Sequence, residues 1–146
     1  MSPEGNRQVV DRYVKALVDR DLDLQAQVCS PNLVVEYPQS NERIRGWANA
    51  RAVAENYPGG LPETTATRLV GGEDKWVVGP SFTLLRIEGT GDVYTLFGKA
   101  KYPDGMTWHA MGIIEIRTGK VAKETWVFGA PFDPPGWRAP WVEQLS

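Results

Sequence analysis

The chain has 146 residues, with 16 Lys and Arg against 18 Asp and Glu for a formal net charge of −2, 42% hydrophobic residues and 23% charged ones. That is long enough to bury a core without staples and too apolar for wholesale disorder. The basic residues are scattered among acidic ones and leave no electrostatic footprint for phosphates, so nucleic acid is not an expected partner.

No apolar run approaches the ~20 residues of a membrane span, and the opening MSPEGNRQ has no signal-like apolar stretch, so a cytoplasmic protein without membrane partners is expected. The single cysteine, Cys29, allows neither an internal disulfide nor a cysteine-rich zinc site. Six tryptophans are the compositional oddity. Large aromatics line pockets as well as cores, and so many favour a ligand-holding shape.

Val9, Val10, Tyr13, Val14, Leu17 and Val18 recur at helical spacing, with Asp11, Arg12, Lys15 and Asp19 on the other face, which predicts an amphipathic helix ending near Arg20. Asp21 can cap a second short helix carrying Leu22 and Val28 and stopping before Pro31. Residues 32–37 (NLVVEY) read as a strand closed by Pro38. After a polar loop, Trp47, Ala50, Val53, Ala54 and Tyr57 mark a third helix, broken by Pro58-Gly59-Gly60.

From Thr64 the pattern changes to strands: 64–70, 75–78, 81–88, 92–102, 106–117 and 120–128. Gly89-Thr90-Gly91, Pro103-Asp104-Gly105 and Thr118-Gly119 fall between them and suit tight antiparallel turns. The tail APFDPPGWRAPWVEQL is too proline-rich for a regular element until its last residues. With no repeat or linker in sight, residues 1–146 are expected to form a single α+β domain. Three helices would pack on a curved antiparallel sheet and enclose a conical pocket.

This order of elements resembles the NTF2-like superfamily, in particular its SnoaL-like and ketosteroid-isomerase-like branches. VVDRYVKALVDRDLD is similar to the opening helix pair of that group, NLVVEYPQSNERIRG to its first strand and loop, and GKVAKETWVFGAPF to its last strand. The tail PFDPPGWRAPWVE resembles endings of SnoaL-like proteins. The resemblance implies a homodimer through the open sheet face. It also shows which catalytic sets are missing. Tyr13 falls where ketosteroid isomerases keep an oxyanion-binding tyrosine, but their base position corresponds to Tyr37 and their oxyanion acid to about Gly112. In limonene-epoxide-hydrolase-like members the last-strand aspartate would fall at Trp126, and the other pair near Thr95 and Phe97. SnoaL-like cyclases use a pocket carboxylate, and candidates for that remain.

Alternation in the last strand puts Glu124, Trp126 and Phe128 on one face, which the resemblance turns toward the pocket. A carboxylate among apolar walls has its charged form destabilised, which moves its pKa toward proton-transfer range. The alternative is a wet carboxylate paired with a lysine or arginine. Tyr13 can donate to a substrate oxygen or serve as a packed core tyrosine, and Tyr37, inward with Leu33 and Val35, offers the same choice. His109 is the only histidine. Parity sets it on the face opposite Trp108, Ala110 and Gly112, where only a bulge would turn it inward. Lys99 and Lys101 share a strand face and can hold an acidic substrate or simply meet solvent. Trp137 and Trp141 can close the pocket as a lid or cover a sheet.

No metal-ligand spacing such as HExxH and no glycine-rich phosphate loop occurs, so no cofactor is expected. The expectation is a cofactor-independent acid–base enzyme for a polyketide- or terpenoid-like molecule, of cyclase, dehydratase or isomerase type. Glu124, Tyr13, Tyr37 and His109 are its candidate catalytic residues, and Trp47, Trp108, Trp126 and Phe128 shape its site. The rival expectation is a non-catalytic binding or dimerisation domain of the same fold.

Overall fold

The computed structural model describes residues 3–71, 77–78, 84–86 and 92–145. Helices α1 (Pro3–Asp19) and α2 (Leu22–Val28) precede strand β1 (Cys29–Tyr37), which turns back as β2 (Glu42–Arg45) before α3 (Trp47–Glu55). Strands β3 (Glu63–Gly71), β4 (Val77–Val78), β5 (Leu84–Arg86), β6 (Val93–Lys101), β7 (Thr107–Arg117) and β8 (Lys120–Gly129) follow, then a 3₁₀ helix at Gly136–Trp141. The six-stranded sheet runs β2-β1-β8-β7-β6-β3, and β4 and β5 pair separately. This is the α+β NTF2-like cone, with helices on the concave side of a curved, open sheet.

The sheet is mixed rather than antiparallel. β1 runs parallel to β8, with Val35 level with Glu124, because the chain leaves β1 through β2 and α3 and returns to its other edge only at the end of the meander. The first strand also begins at Cys29, three residues before the expected start, and the loop after it contains the unexpected edge strand β2. The tail forms its 3₁₀ turn in mid-segment. Parts of the expected strands 75–78 and 81–88, and the whole Gly89-Thr90-Gly91 turn, lie outside the described residues.

Local chemistry explains the joints. Asp21 accepts the Leu24 amide proton at 3.0 Å and satisfies an orphan donor at the start of α2. Asp21→Ala should cost about 1 kcal/mol, a Tm drop of roughly 2–4 °C in calorimetry with activity intact. Thr118 and Gly119 both adopt positive φ, 47° and 74°, which matches the two-residue hairpin turn joining β7 to β8.

Helix α1 inserts Val9, Val10, Tyr13 and Ala16 against Val28, Cys29, Leu33, Val35, Tyr94, Ile114, Ile116 and Val121. Each large apolar side chain fully buried there contributes ~1.5–3 kcal/mol. A register shift separates the Glu115–Lys123 and Ile116–Val121 pairs, leaving Ala122 as the extra residue on β8. That bulge lets Val121 and Glu124, an odd number of residues apart, both be buried.

Candidate functional site

The concave face of β1, β6, β7 and β8, capped by α3 and its following loop, encloses a cavity of about 1000 Å³. Its lining is largely aromatic and aliphatic. On one side Trp126 stacks on Phe128 (centroids 6.1 Å, 17° between planes), and Phe128 meets Tyr37 at 6.4 Å. At the other end Tyr57, Tyr102 and Trp108 form a second group, with centroids 6.1 and 5.9 Å apart. Trp47 lines the wall from the start of α3, and Ile44 from β2.

Glu124 is the polar centre. It lines the cavity yet is only 8% exposed. Both of its hydrogen bonds end on Oε1: the Tyr13 hydroxyl donates to it from α1, and Trp126 Nε1 donates at 2.8 Å from two residues along the strand. Among the described residues, Oε2 accepts no hydrogen bond and no ion pair involves this carboxylate. Burial pushes its pKa above the ordinary carboxylate value, while the Tyr13 and Trp126 hydrogen bonds favour the ionised form and pull in the opposite direction. The wet, lysine-paired alternative describes Glu36, whose pKa is lowered by hydrogen bonds from Lys123 and Arg43.

Tyr13 is fully buried and is not a lining residue; its hydroxyl is directed to Glu124 rather than into the cavity. Its pKa lies well above the ordinary phenol value through burial and then the neighbouring Glu124 charge, so it stays a proton donor. Tyr37 does line the cavity, with its pKa pushed up to about 12 by burial first and Glu124 second. Among the described residues no group hydrogen-bonds its hydroxyl. Trp47, Trp108, Trp126 and Phe128 all line the cavity beside it.

His109 is exposed on the opposite face, across from Lys99 and Gly129 in the ladder. It borders a shallow depression with Phe97, Met111 and Val127, apart from Glu124. Lys99 and Lys101 are exposed, outside the cavity lining. Trp137 and Trp141, 74% and 79% exposed, do not line the cavity either. Among the described residues no group of three His, Cys, Asp or Glu is placed to hold a metal.

Three features were not anticipated from sequence. Tyr102 follows Ala100 on the inward parity of β6 and could have been found that way. Gln39 clamps the strand end: its Nε2 donates to the Phe128 carbonyl and its Oε1 accepts from the Phe128 amide, both at 2.6 Å. Gly112, where the resemblance expects an acid, sits directly opposite Trp126, and a Cβ there would lie 2.6 Å from the indole. The indole occupies that space and delivers its N–H to Glu124.

No protein of curated function matches the chain significantly by sequence. Among solved structures, an NTF2-like protein of unknown function from Burkholderia xenovorans LB400 is 28% identical, with TM-score 0.76 over 100% of this chain and 99% of that one. A protein from Kribbella flavida DSM 17836, provisionally named a ketosteroid isomerase, is 22% identical, with TM-score 0.74 over 98% and 91%. An epoxide hydrolase of limonene-epoxide-hydrolase-like type from M. tuberculosis is 17% identical, with TM-score 0.61 over 86% and 83%. The last two share the fold. The sequence model of the SnoaL-like domain matches residues 10–124, from the first buried turn of α1 to the cavity carboxylate, and the chain belongs to that family.

Proposed function

We propose that the protein is a cofactor-independent acid–base enzyme acting on a hydrophobic, oxygenated small molecule of polyketide or terpenoid type, by cyclisation, dehydration or isomerisation. The observation that carries this is Glu124: buried, lining the cavity, held by two hydrogen bonds on Oε1 and paired with no cation among the described residues. A carboxyl with a raised pKa is suited to both accept and return a proton near neutral pH.

Glu124 Oε2 takes a proton from carbon next to a carbonyl and returns it to the product or to a leaving hydroxyl. Tyr37, with its hydroxyl free, donates to the oxygen on which negative charge grows. Tyr13 and Trp126 act through Glu124 by fixing its orientation. The SnoaL-like membership, and the isomerase and epoxide hydrolase named among the neighbours, support small-molecule processing in general. The test is mass-spectrometric turnover of a panel of enones, hydroxyketones, polyketide intermediates and terpenoid epoxides by wild type and Glu124→Gln. Product formed by wild type and lost in the variant supports the enzyme. Turnover unchanged in the variant removes Glu124 from the chemistry.

The non-catalytic reading draws on a specific observation as well. Gly112, Tyr37 and Trp126 replace acids of the two best-defined catalytic sets of the fold, and the indole fills the space one of those acids would need. Product formation in the panel, followed by chromatographic retention as well as mass because isomers share a mass, discriminates between the readings.

A homodimer and a cytoplasmic location belong to the same proposal. Phe132, Trp137, Trp141 and Leu145 are large apolar side chains 74% or more exposed, of the kind a second copy could cover, and the free Cys29 thiol suits a reducing compartment. Light scattering at micromolar concentration should give twice the chain mass, and Trp137→Ser/Trp141→Ser should weaken the dimer at least tenfold. A wild-type monomer at those concentrations would refute the dimer.

A further inference from the structure

The cavity has a second polar pole far from Glu124. Tyr57, just past α3, and Tyr102, at the end of β6, both line it, with ring centroids 6.1 Å apart and 30° between planes. Trp108 closes on Tyr102 edge to face at 5.9 Å. Burial raises the Tyr102 pKa, and the neighbouring Tyr57 raises it further. The two segments that carry the pair are locked together. A Cβ on Gly59 would lie 3.0 Å from the Pro103 ring, and the Pro103-Asp104-Gly105 turn is tied by Tyr102 N to Met106 O at 2.8 Å and Met106 N to Asp104 Oδ1 at 2.8 Å. The pair therefore stands on a fixed end wall.

The ladder gives its distance from the acid–base pole. Glu124 lies opposite Ile114 on β7, and Trp108 is six residues further along the same strand. At ~3.3 Å per residue the two levels are about 20 Å apart before side chains lean into the gap. Between them the floor is apolar, with Trp126, Phe128, Ala110 and Ala100, while Tyr37 adds a hydroxyl to the wall. A single-ring molecule held at Glu124 cannot reach the tyrosines.

We propose that the cavity selects an elongated, uncharged molecule with an oxygen function at each end, and that Tyr57 and Tyr102 are its specificity-determining remote subsite. The two phenolic hydroxyls, carried on stacked rings, supply proton donors and oxygen lone pairs for a ligand hydroxyl or carbonyl. Asp104 and Arg20 both line the cavity with opposite charges, so neither sign of ligand charge is favoured. The inference rests on the reading that the cavity is the ligand site, and it deepens that reading by naming length and polarity.

Rigid fluorescent rods of graded length test it by direct titration: 4-phenylphenol and biphenyl-4,4′-diol, then p-terphenyl-4-ol and p-terphenyl-4,4″-diol. In the rod that spans the poles, the second hydroxyl should tighten binding about tenfold, as one buried hydrogen bond would. Tyr57→Phe and Tyr102→Phe should each erase most of that gain while leaving the mono-ol within about twofold. Turnover by Glu124 is a separate readout. Equal affinity of diol and mono-ol at both lengths, or a gain that survives both phenylalanine variants, overturns the remote subsite and leaves the acid–base reading standing. Failure of every rod to bind overturns the subsite and the cavity-as-ligand-site reading together.

Discussion

Glu124→Gln should abolish most turnover, by ~10²–10⁴-fold, and at the same time raise stability at pH 8. The amide oxygen can still accept from Tyr13 and Trp126, so the two hydrogen bonds on Oε1 persist and only the titratable proton is lost. The sign of the stability change follows from linkage. Burial raises the pKa of Glu124 in the folded state, so the folded protein binds this proton more tightly than the unfolded chain does. That contribution to stability is fully present below the unfolded carboxylate pKa and is lost as pH rises through the folded value. Once the pH has risen above the folded value, the wild type holds a buried anion at a cost the glutamine variant avoids. A gain of ~1 kcal/mol corresponds to about 2–4 °C in Tm. The difference should shrink toward zero, or reverse, near pH 4. A variant that is less stable at pH 8 than at pH 4 relative to wild type would contradict the assignment.

The second large effect is expected at a residue with no chemistry of its own. Gly112→Ala would set a Cβ within 2.6–2.7 Å of three carbons of the Trp126 ring. The two residues are directly opposed in the β7–β8 ladder, so neither backbone can yield easily, and the indole must swing out. It then gives up its N–H bond to Glu124 and its stacking on Phe128. Overpacking of this kind costs about 1–3 kcal/mol, a Tm drop of roughly 3–10 °C. Turnover should fall about tenfold, because Glu124 is left with one orienting bond. In a Trp126→Ala background the same alanine should cost little, and that non-additivity separates a clash with the ring from a general weakening of β7. Additive costs in the double variant would rule out the indole as the cause.

Much of the fold was legible because its signals are local. Helical spacing from Val9 to Leu17, the Asp21 cap and the Thr118-Gly119 turn each specify their element with little help from distant residues. The parallel pairing of β1 with β8 was not legible, since alternation within a strand says nothing about the direction of its neighbour. Nor was β2, whose four residues ERIR carry one apolar side chain among charges. The inward faces of Glu124, Trp126 and Phe128 could be read from alternation counted within residues 124–128. The same count carried back to Val121 fails, because the bulge at Ala122 shifts the parity.

The site was legible in its members more than in their arrangement. Tyr13 and Glu124 were both visible as polar groups on buried faces, but their hydrogen bond spans 111 positions and no pattern in the chain announces it. That bond places Tyr13 behind the carboxylate, so of the two tyrosines read from the sequence only Tyr37 lines the cavity. The glycine at position 112 was read as a missing acid. In three dimensions it is the clearance for an indole that orients the acid elsewhere.

The most direct measurement is the titration of Glu124 itself, read from the carboxyl stretch in infrared difference spectra of wild type minus Glu124→Gln across pH 3 to 9. The account predicts one carboxyl that stays protonated above the ordinary carboxylate range and is absent from the variant. A carboxyl at this position that ionises at or below that range would contradict it, and with it the acid–base role on which the proposed function stands.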